Sequence, residues 1–337
     1  MTGAGAGRTE STAFAGRKML SERHGNTPLK IAVLIPCYYE EAAIAAVVRD
    51  FRAALPDAAI YVYDNNSKDR TVEVAAAAGA IVRREPLQGK GNVVRRMFAD
   101  IDADAYVMVD GDDTYHAPSA PLLIAKLVDE QLDMVNAQRI STADAAYRRG
   151  HVLGNRLLTG LVGGVFGKRT DDMLSGYRVF SRRFVKTFPA LAGGFEIETE
   201  LTVHALEMRM PFAEVPTPYK ERPPGSVSKL STYKDGLRIL FMIGKLVKEE
   251  RPMQAFSIAA FVLALASLVL AIPVILTYIE TGLVPRLPTA VLAAALMILS
   301  FLALTCGLIL DSVTRARREA KRLAYLMLPA PGADGTP

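Results

Sequence analysis

Tyr106-Val107-Met108-Val109-Asp110-Gly111-Asp112-Asp113 is an apolar run of strand length that ends in acid. Side chains alternate faces along a strand, so the spacing predicts Asp110 and Asp112 on one side and Asp113 on the other. Two neighbouring carboxylates at a strand's carboxyl end repel each other unless a cation lies between them. Hard divalent cations, Mg2+ or Mn2+, take oxygen ligands of this kind and bring phosphates with them. Asp-Gly is also ordinary turn chemistry, so the stretch alone reads as well as a strand followed by a polar turn.

Upstream, Ile31-Ala32-Val33-Leu34-Ile35 is a continuous apolar run stopped by Pro36, as in a strand covered on both faces. Residues 40–55 read as a helix with Glu40 and Glu41 in its first turn. Ile60 to Tyr63 is a second strand, followed by the loop Asp64-Asn65-Asn66-Ser67 and a helix through the alanines at 75–78. Residues 80–84 form a third strand, and Gly89-Lys90-Gly91-Asn92 opens a helix. Beyond the acidic stretch, 118–130 is helical and 132–137 a strand. Strands separated by helices of this length predict a mostly parallel sheet, with ligands at the carboxyl ends of the strands. The loops at 36–40, 64–66 and 110–114 should gather at one edge. Further on, 148–168 reads as a helix, 176–180 as a short strand and 195–208 as a helix with three glutamates. Residues 212–219 suit an edge strand because Pro216 and Pro218 cannot donate.

Half of the 337 residues are hydrophobic, and the last third holds two long apolar runs at 255–278 and 289–310, each about one bilayer long. Net charge is +5. Lys245, Lys248 and Arg251 lie before the runs, and Arg315, Arg317, Arg318, Lys321 and Arg322 after them. That pattern points to a membrane surface, not nucleic acid, and puts both flanks in the cytoplasm. The expected organisation is a disordered tail at 1–28, an α/β domain at 29–232, an amphipathic juxtamembrane helix at 233–250, a transmembrane hairpin within 255–310, and a basic cytoplasmic tail at 311–337. Cys37 and Cys306 form no disulfide framework, in keeping with a reducing compartment.

Each polar loop has a functional and a plain structural reading. Pro36-Cys37-Tyr38-Tyr39-Glu40 could wrap a nucleotide or simply turn from strand to helix. Asp64 could accept from a base or ribose, or cap a helix. Gly89-Lys90-Gly91 could cradle a phosphate through its backbone amides, or be a loop that carries one cation.

In order, Ile35-Pro36-Cys37-Tyr38-Tyr39-Glu40, Asp64-Asn65-Asn66-Ser67-Lys68-Asp69-Arg70-Thr71, Gly89-Lys90-Gly91-Asn92 and Asp110-Gly111-Asp112 resemble the motifs of family 2 glycosyltransferases of the GT-A fold. Ser175-Gly176-Tyr177-Arg178, Gly194-Phe195-Glu196 and Ser226-Val227-Ser228-Lys229-Leu230 resemble those of its polyprenyl-phosphate branch, across roughly 29–250. The resemblance implies a Rossmann-like GT-A catalytic domain followed by an amphipathic helix and a membrane hairpin. It implies that Asp110 and Asp112 hold Mg2+ or Mn2+ and the donor diphosphate. Pro36, Tyr38, Glu40, Asp64, Asn66 and Lys90 would bind the nucleotide sugar. Arg139, Ser175, Arg178 and Lys229 would meet the acceptor phosphate, with Asp112, Arg178 and Lys229 carrying catalysis. One of Glu196, Glu198 and Glu200 would orient Arg178, with the other two on a solvated face.

The implied activity is inverting transfer of a sugar from a nucleotide diphosphate sugar, UDP-linked in preference to GDP-mannose, to polyprenyl phosphate. It would take place on the cytoplasmic face of the inner membrane, with membrane lipid as a partner and a homo-oligomer left open. The alternatives are a processive polysaccharide synthase and an inactive lipid-binding scaffold. Against the first, the chain lacks the tryptophan with which such synthases hold a growing glycan. Three departures from the family pattern stand out: Tyr39 for Asn, Asn65 for a second Asp, and Thr114 for Gln.

Overall fold

The computed structural model describes residues 29–141, 172–194, 196–223 and 251–332. The expected helices at 148–168 and 233–250, the tail at 1–28 and Lys229 lie outside them. The chain divides into two units, one of residues 1–239 with 322–337 and one of 240–321.

The first unit is built on a seven-stranded sheet of β1 (Ile31–Cys37), β2 (Ala59–Asp64), β3 (Ile81–Arg84), β4 (Ala105–Met108), β5 (Met134–Ser141), β6 (Arg178–Ser181) and β7 (Phe212–Tyr219). The order is β3-β2-β1-β4-β6-β5-β7. β6 runs antiparallel to both of its neighbours, and the other pairings are parallel. The expected parallel sheet therefore holds apart from one reversed strand. β7, the strand with two prolines, lies at the edge as expected.

The strands are apolar on both parities because helices cover both faces. On one face Val33, Ile35, Val107 and Val179 pack with Ile44, Val47, Val48 and Phe51 of α1 (Ile44–Ala54). Those four recur at helical spacing. α4 (Ala120–Asp129) adds Leu123, Ile124 and Leu127 to the same core. On the other face Phe98 of α3 (Lys90–Asp100) meets Tyr106 and Phe180, and Phe180 stacks on Phe184 of α5 (Arg182–Thr187). α2 (Thr71–Ala77) and α6 (Ile197–Met208) complete the unit.

β1 runs two residues beyond Ile35, through the expected stop at Pro36 to Cys37. The Leu34 carbonyl accepts from Val109 N–H, so Pro36, two residues on, faces the same side, where β4 has already ended. Its missing donor costs no ladder bond there. β4 itself ends at Met108, so the acids lie on the following loop and strand alternation does not govern them. Asp113 takes a left-handed conformation, φ 56°.

The second unit holds α7 (Pro252–Thr281) and most of α8 (Leu287–Leu326), both long and apolar enough to cross a membrane. They pack antiparallel. Ser267 Oγ donates to Ala293 O and Ser300 Oγ to Ala260 O, each at 2.7 Å. Buried positions recur every seventh residue: Ala260, Ser267 and Val274 on α7, and Ala293, Ser300, Gly307 and Thr314 on α8. The seam is small or hydroxylic while Phe261, Leu265, Phe301 and Leu302 face outward, the inverse of a soluble helix pair. α8 continues to Leu326, so the start of the expected 311–337 tail is helical.

Candidate active site

A cavity of about 580 Å3 opens at the carboxyl edge of the parallel strands. The end of β1 and the loop after it supply Pro36, Tyr38 and Glu40, the loop after β4 supplies Asp110 and Asp112, and Lys90 and Arg139 also line it. Strand alternation predicted one face for the two aspartates. They do share a cavity, but a turn and not the strand brings them there.

The turn is specified locally. Thr114 donates to Asp112 Oδ1 through its hydroxyl at 2.7 Å and its amide at 3.3 Å. Arg222 pairs with Asp112 Oδ2 at 2.6 Å, and Lys220 with Asp113 at 2.7 Å. Lys90 Nζ lies against both Asp110 and Glu198. Burial pushes the Asp112 carboxyl up and the nearby Asp110 charge adds to this, with Arg222 and Thr114 offsetting part. Glu198 is likewise raised by burial and by Asp110, against Lys90. For Lys90, burial favours loss of the proton, but the Asp110 and Glu198 charges outweigh it and move the group upward.

The departures from the family pattern acquire reasons. Tyr39 sits at φ 55°, a left-handed conformation that suits Asn better than Tyr. Asn65 Nδ2 donates to the Glu85 and Leu87 carbonyls while Oδ1 accepts from Gly89 N–H at 2.7 Å. An ionised carboxylate has no donor for those carbonyls. The amide thereby stitches the β2 loop to the start of α3. Glycines flank Lys90 because backbone passes there. A Cβ on Gly89 would stand 2.1 Å from Gly193 O, and one on Gly91 2.0 Å from Ala192 O. These contacts favour the loop-with-one-cation reading of Gly89-Lys90-Gly91.

Several expected site residues lie elsewhere. Arg178 is fully buried, and its donors go to the Ser175 and Met173 carbonyls and Thr202 Oγ1. A guanidinium enclosed in this way does not meet an acceptor phosphate, which corrects the role expected of it. Ser175 is corrected likewise: it is buried and donates to Ala137 O. Asp64 accepts from Ser67 N–H within the loop after β2 and does not line the cavity; it does not cap α2 either, which starts at Thr71 after Arg70. Asn66 also falls outside the lining, its amide spent on Pro86 O and Gln88 Oε1. Arg139 lines the cavity while pairing with Asp172 through two bonds of 2.7 Å. The three glutamates are not a solvated face: Glu198 and Glu200 are buried, and Glu200 caps the Leu191 and Ala192 amides. The Arg178 donors named above go to backbone carbonyls and Thr202, not to a glutamate carboxylate.

Sequence reading missed Asn65, Gln88, Tyr115, Glu196, Glu198, Tyr219 and Arg222 as lining residues. Arg222 was within reach of the strand-end rule, since it lies three residues beyond β7. No cluster of three or more metal-ligating side chains occurs among the described residues. The Asp110 charge raises the cost of ionising Asp112 in the same cavity, and two carboxylates so placed fit a divalent cation whose other ligands are substrate oxygens.

The glycosyl transferase family 2 model matches residues 32–188. Glycosyltransferase AglJ of Haloferax volcanii is 30% identical over 302 residues, 89% of this chain and 99% of its own length. A dolichyl-phosphate hexose transferase of the same organism is 29% identical over 221 residues, 66% of this chain and 95% of its own. Among solved structures, glucosyl-3-phosphoglycerate synthase of Mycobacterium tuberculosis in complex with Mn2+, UDP-glucose and phosphoglyceric acid superimposes with TM-score 0.52. It is 24% identical and covers 72% of this chain and 85% of that one, a likeness of GT-A fold.

Proposed function

The chain belongs to glycosyl transferase family 2 and is a glycosyltransferase, and we propose that it moves a hexose from a nucleotide diphosphate sugar to a polyprenyl phosphate in a membrane. One observation carries this reading: a single cavity in which two carboxylates, Asp110 and Asp112, meet three cations, Lys90, Arg139 and Arg222. Such a set suits a metal-bound diphosphate beside a second phosphate. The dolichyl-phosphate hexose transferase supports the acceptor class. The neighbour with Mn2+ and UDP-glucose supports a divalent ion and a UDP-sugar.

In this reading Pro36, Tyr38 and Glu40 line the nucleoside end. Asp110 and Asp112 hold Mg2+ or Mn2+, which when bound stabilises charge on the departing diphosphate. Arg139 and Arg222, joined by Lys229, hold the acceptor phosphate. A phosphate monoester has its second pKa near ~6, so the acceptor is largely dianionic at neutral pH and needs no general base. Its oxygen forms a bond to the sugar C1 as the bond from C1 to the diphosphate breaks. The electron pair leaves with the nucleoside diphosphate, and the anomeric centre inverts. The enzyme's task is to offset repulsion between two anions, which the cations do.

α7 and α8 would anchor the enzyme as a hairpin in the inner membrane. The basic residues flanking both helices, among them Arg251, Arg315 and Arg318, support a catalytic domain on the cytoplasmic face. The test supplies membranes containing the protein with polyprenyl phosphate and labelled UDP-glucose, UDP-galactose, UDP-N-acetylglucosamine and GDP-mannose in turn. One donor should yield a lipid-linked sugar, and EDTA should abolish it. No lipid product from any donor would overturn the proposal.

A further inference from the structure

The two aspartates of the cavity are each covered by a cation of the chain itself. Lys90 Nζ lies between Asp110 and Glu198, and Arg222 pairs with Asp112 at 2.6 Å. Arg222 is partly exposed, whereas the Lys90 and Glu198 side chains are only 9% and 7% exposed. A metal ion arriving alone must take Asp110 from an enclosed ammonium that has little water to turn to. One Glu198 oxygen is in contact with Lys90, and the other, Oε2, is buried with no hydrogen-bond partner among the described residues. Glu198 thus offers the ammonium a second seat once Asp110 is taken.

We propose that Lys90 is an internal counter-ion that keeps the metal site closed until the donor diphosphate arrives, and that Glu198 is the positioning residue that lets it step aside. This rests on the metal-dependent reading above. The diphosphate gives Lys90 a new anionic partner, so metal and nucleotide each raise the other's affinity by the same factor. The enzyme then gathers its ion with its donor and binds bare divalent cations weakly.

The test measures Mn2+ binding by electron paramagnetic resonance on the full-length protein, with and without UDP, and with GDP in parallel. Wild type should bind Mn2+ weakly alone and about tenfold or more tightly with the nucleotide. Lys90→Gln should bind Mn2+ alone about tenfold more tightly and lose much of the nucleotide enhancement. Glu198→Gln should shift the other way, weakening Mn2+ binding, because displaced Lys90 would be left buried without a partner. In the double variant the Glu198→Gln effect should largely vanish, which separates it from simple loss of a nearby negative charge. Lys90→Met repeats the first arm if the Gln variant does not fold, and the Glu198→Gln arm stands without either. Wild type that binds neither Mn2+ nor nucleotide sinks the metal-dependent reading. Wild type that binds both, with Lys90→Gln unchanged or weaker for Mn2+ alone, or with Glu198→Gln no weaker than wild type, overturns this inference only.

Discussion

A Cβ placed on Gly176 would stand 2.3 Å from Asp110 Oδ2, so the carboxylate occupies the space that a side chain would fill. The backbone cannot yield easily, because Gly176 N–H donates to the buried Tyr115 hydroxyl at 2.8 Å. Gly176→Ala should therefore displace Asp110 and spare the fold. Activity should fall by about tenfold or more, recovered in part by raising Mn2+. A metal activation constant equal to wild type would contradict this.

Asp112→Asn should cost at least about a hundredfold in activity if the carboxylate holds the ion that stabilises the diphosphate. Burial and Asp110 raise the folded-state pKa of Asp112, so the folded protein binds the proton more tightly than the unfolded chain. The ionised group costs stability above that raised pKa and nothing below its unfolded value. In EDTA at neutral pH the variant should melt no lower than wild type. A melting point several degrees below it would show Asp112 to be structural.

For Arg178 the expectation is a packing defect. Arg178→Ala would open a void and leave two buried carbonyls and Thr202 short of a donor, a loss of about 3–5 kcal/mol. Yield and melting temperature should drop, while the folded fraction keeps an acceptor KM within about threefold of wild type. A large KM change at unchanged stability would restore the acceptor-binding role.

Asp172 gives the opposite pH sign. Burial alone would raise its pKa, but the Arg139 hydrogen bonds and charge hold it below the usual carboxylate range. Its stabilisation is fully present above its unfolded pKa, about 3.9, and disappears as pH falls through the lower folded value. Arg139 retains some solvent exposure, so Asp172→Asn should cost about 1–3 kcal/mol at pH 7. The gap between wild-type and variant melting temperatures should close in acid below about pH 4. A gap independent of pH would remove the ion pair from the account.

The succession of strands and helices along the chain through β5 and the meeting of the 36–40 and 110–114 loops were legible, because apolar runs of strand length and helical spacing are local signals. The reversal of β6 was not, since a strand as short as Arg178-Val179-Phe180-Ser181 reads the same in either direction. Arg178 was misjudged because its motif marks a position without saying whether it is enclosed. Glu198 looked solvated because glutamates on helices usually are. The cation that keeps it company, Lys90, lies 108 residues away in sequence. Arg222 was overlooked although the rule that found Asp110, ligands at strand ends, applies equally to β7.

The Arg139–Asp172 clasp has an evolutionary consequence. Ser141 ends β5 at the same edge as the cavity, and the chain is caught again at Asp172 by Arg139. Ser141 and the clasped Asp172 therefore both stand beside the cavity. A change at one end of the clasp must be answered at the other, so Arg139 and Asp172 should be exchanged together between relatives, and a chimaera has its natural seams just outside them.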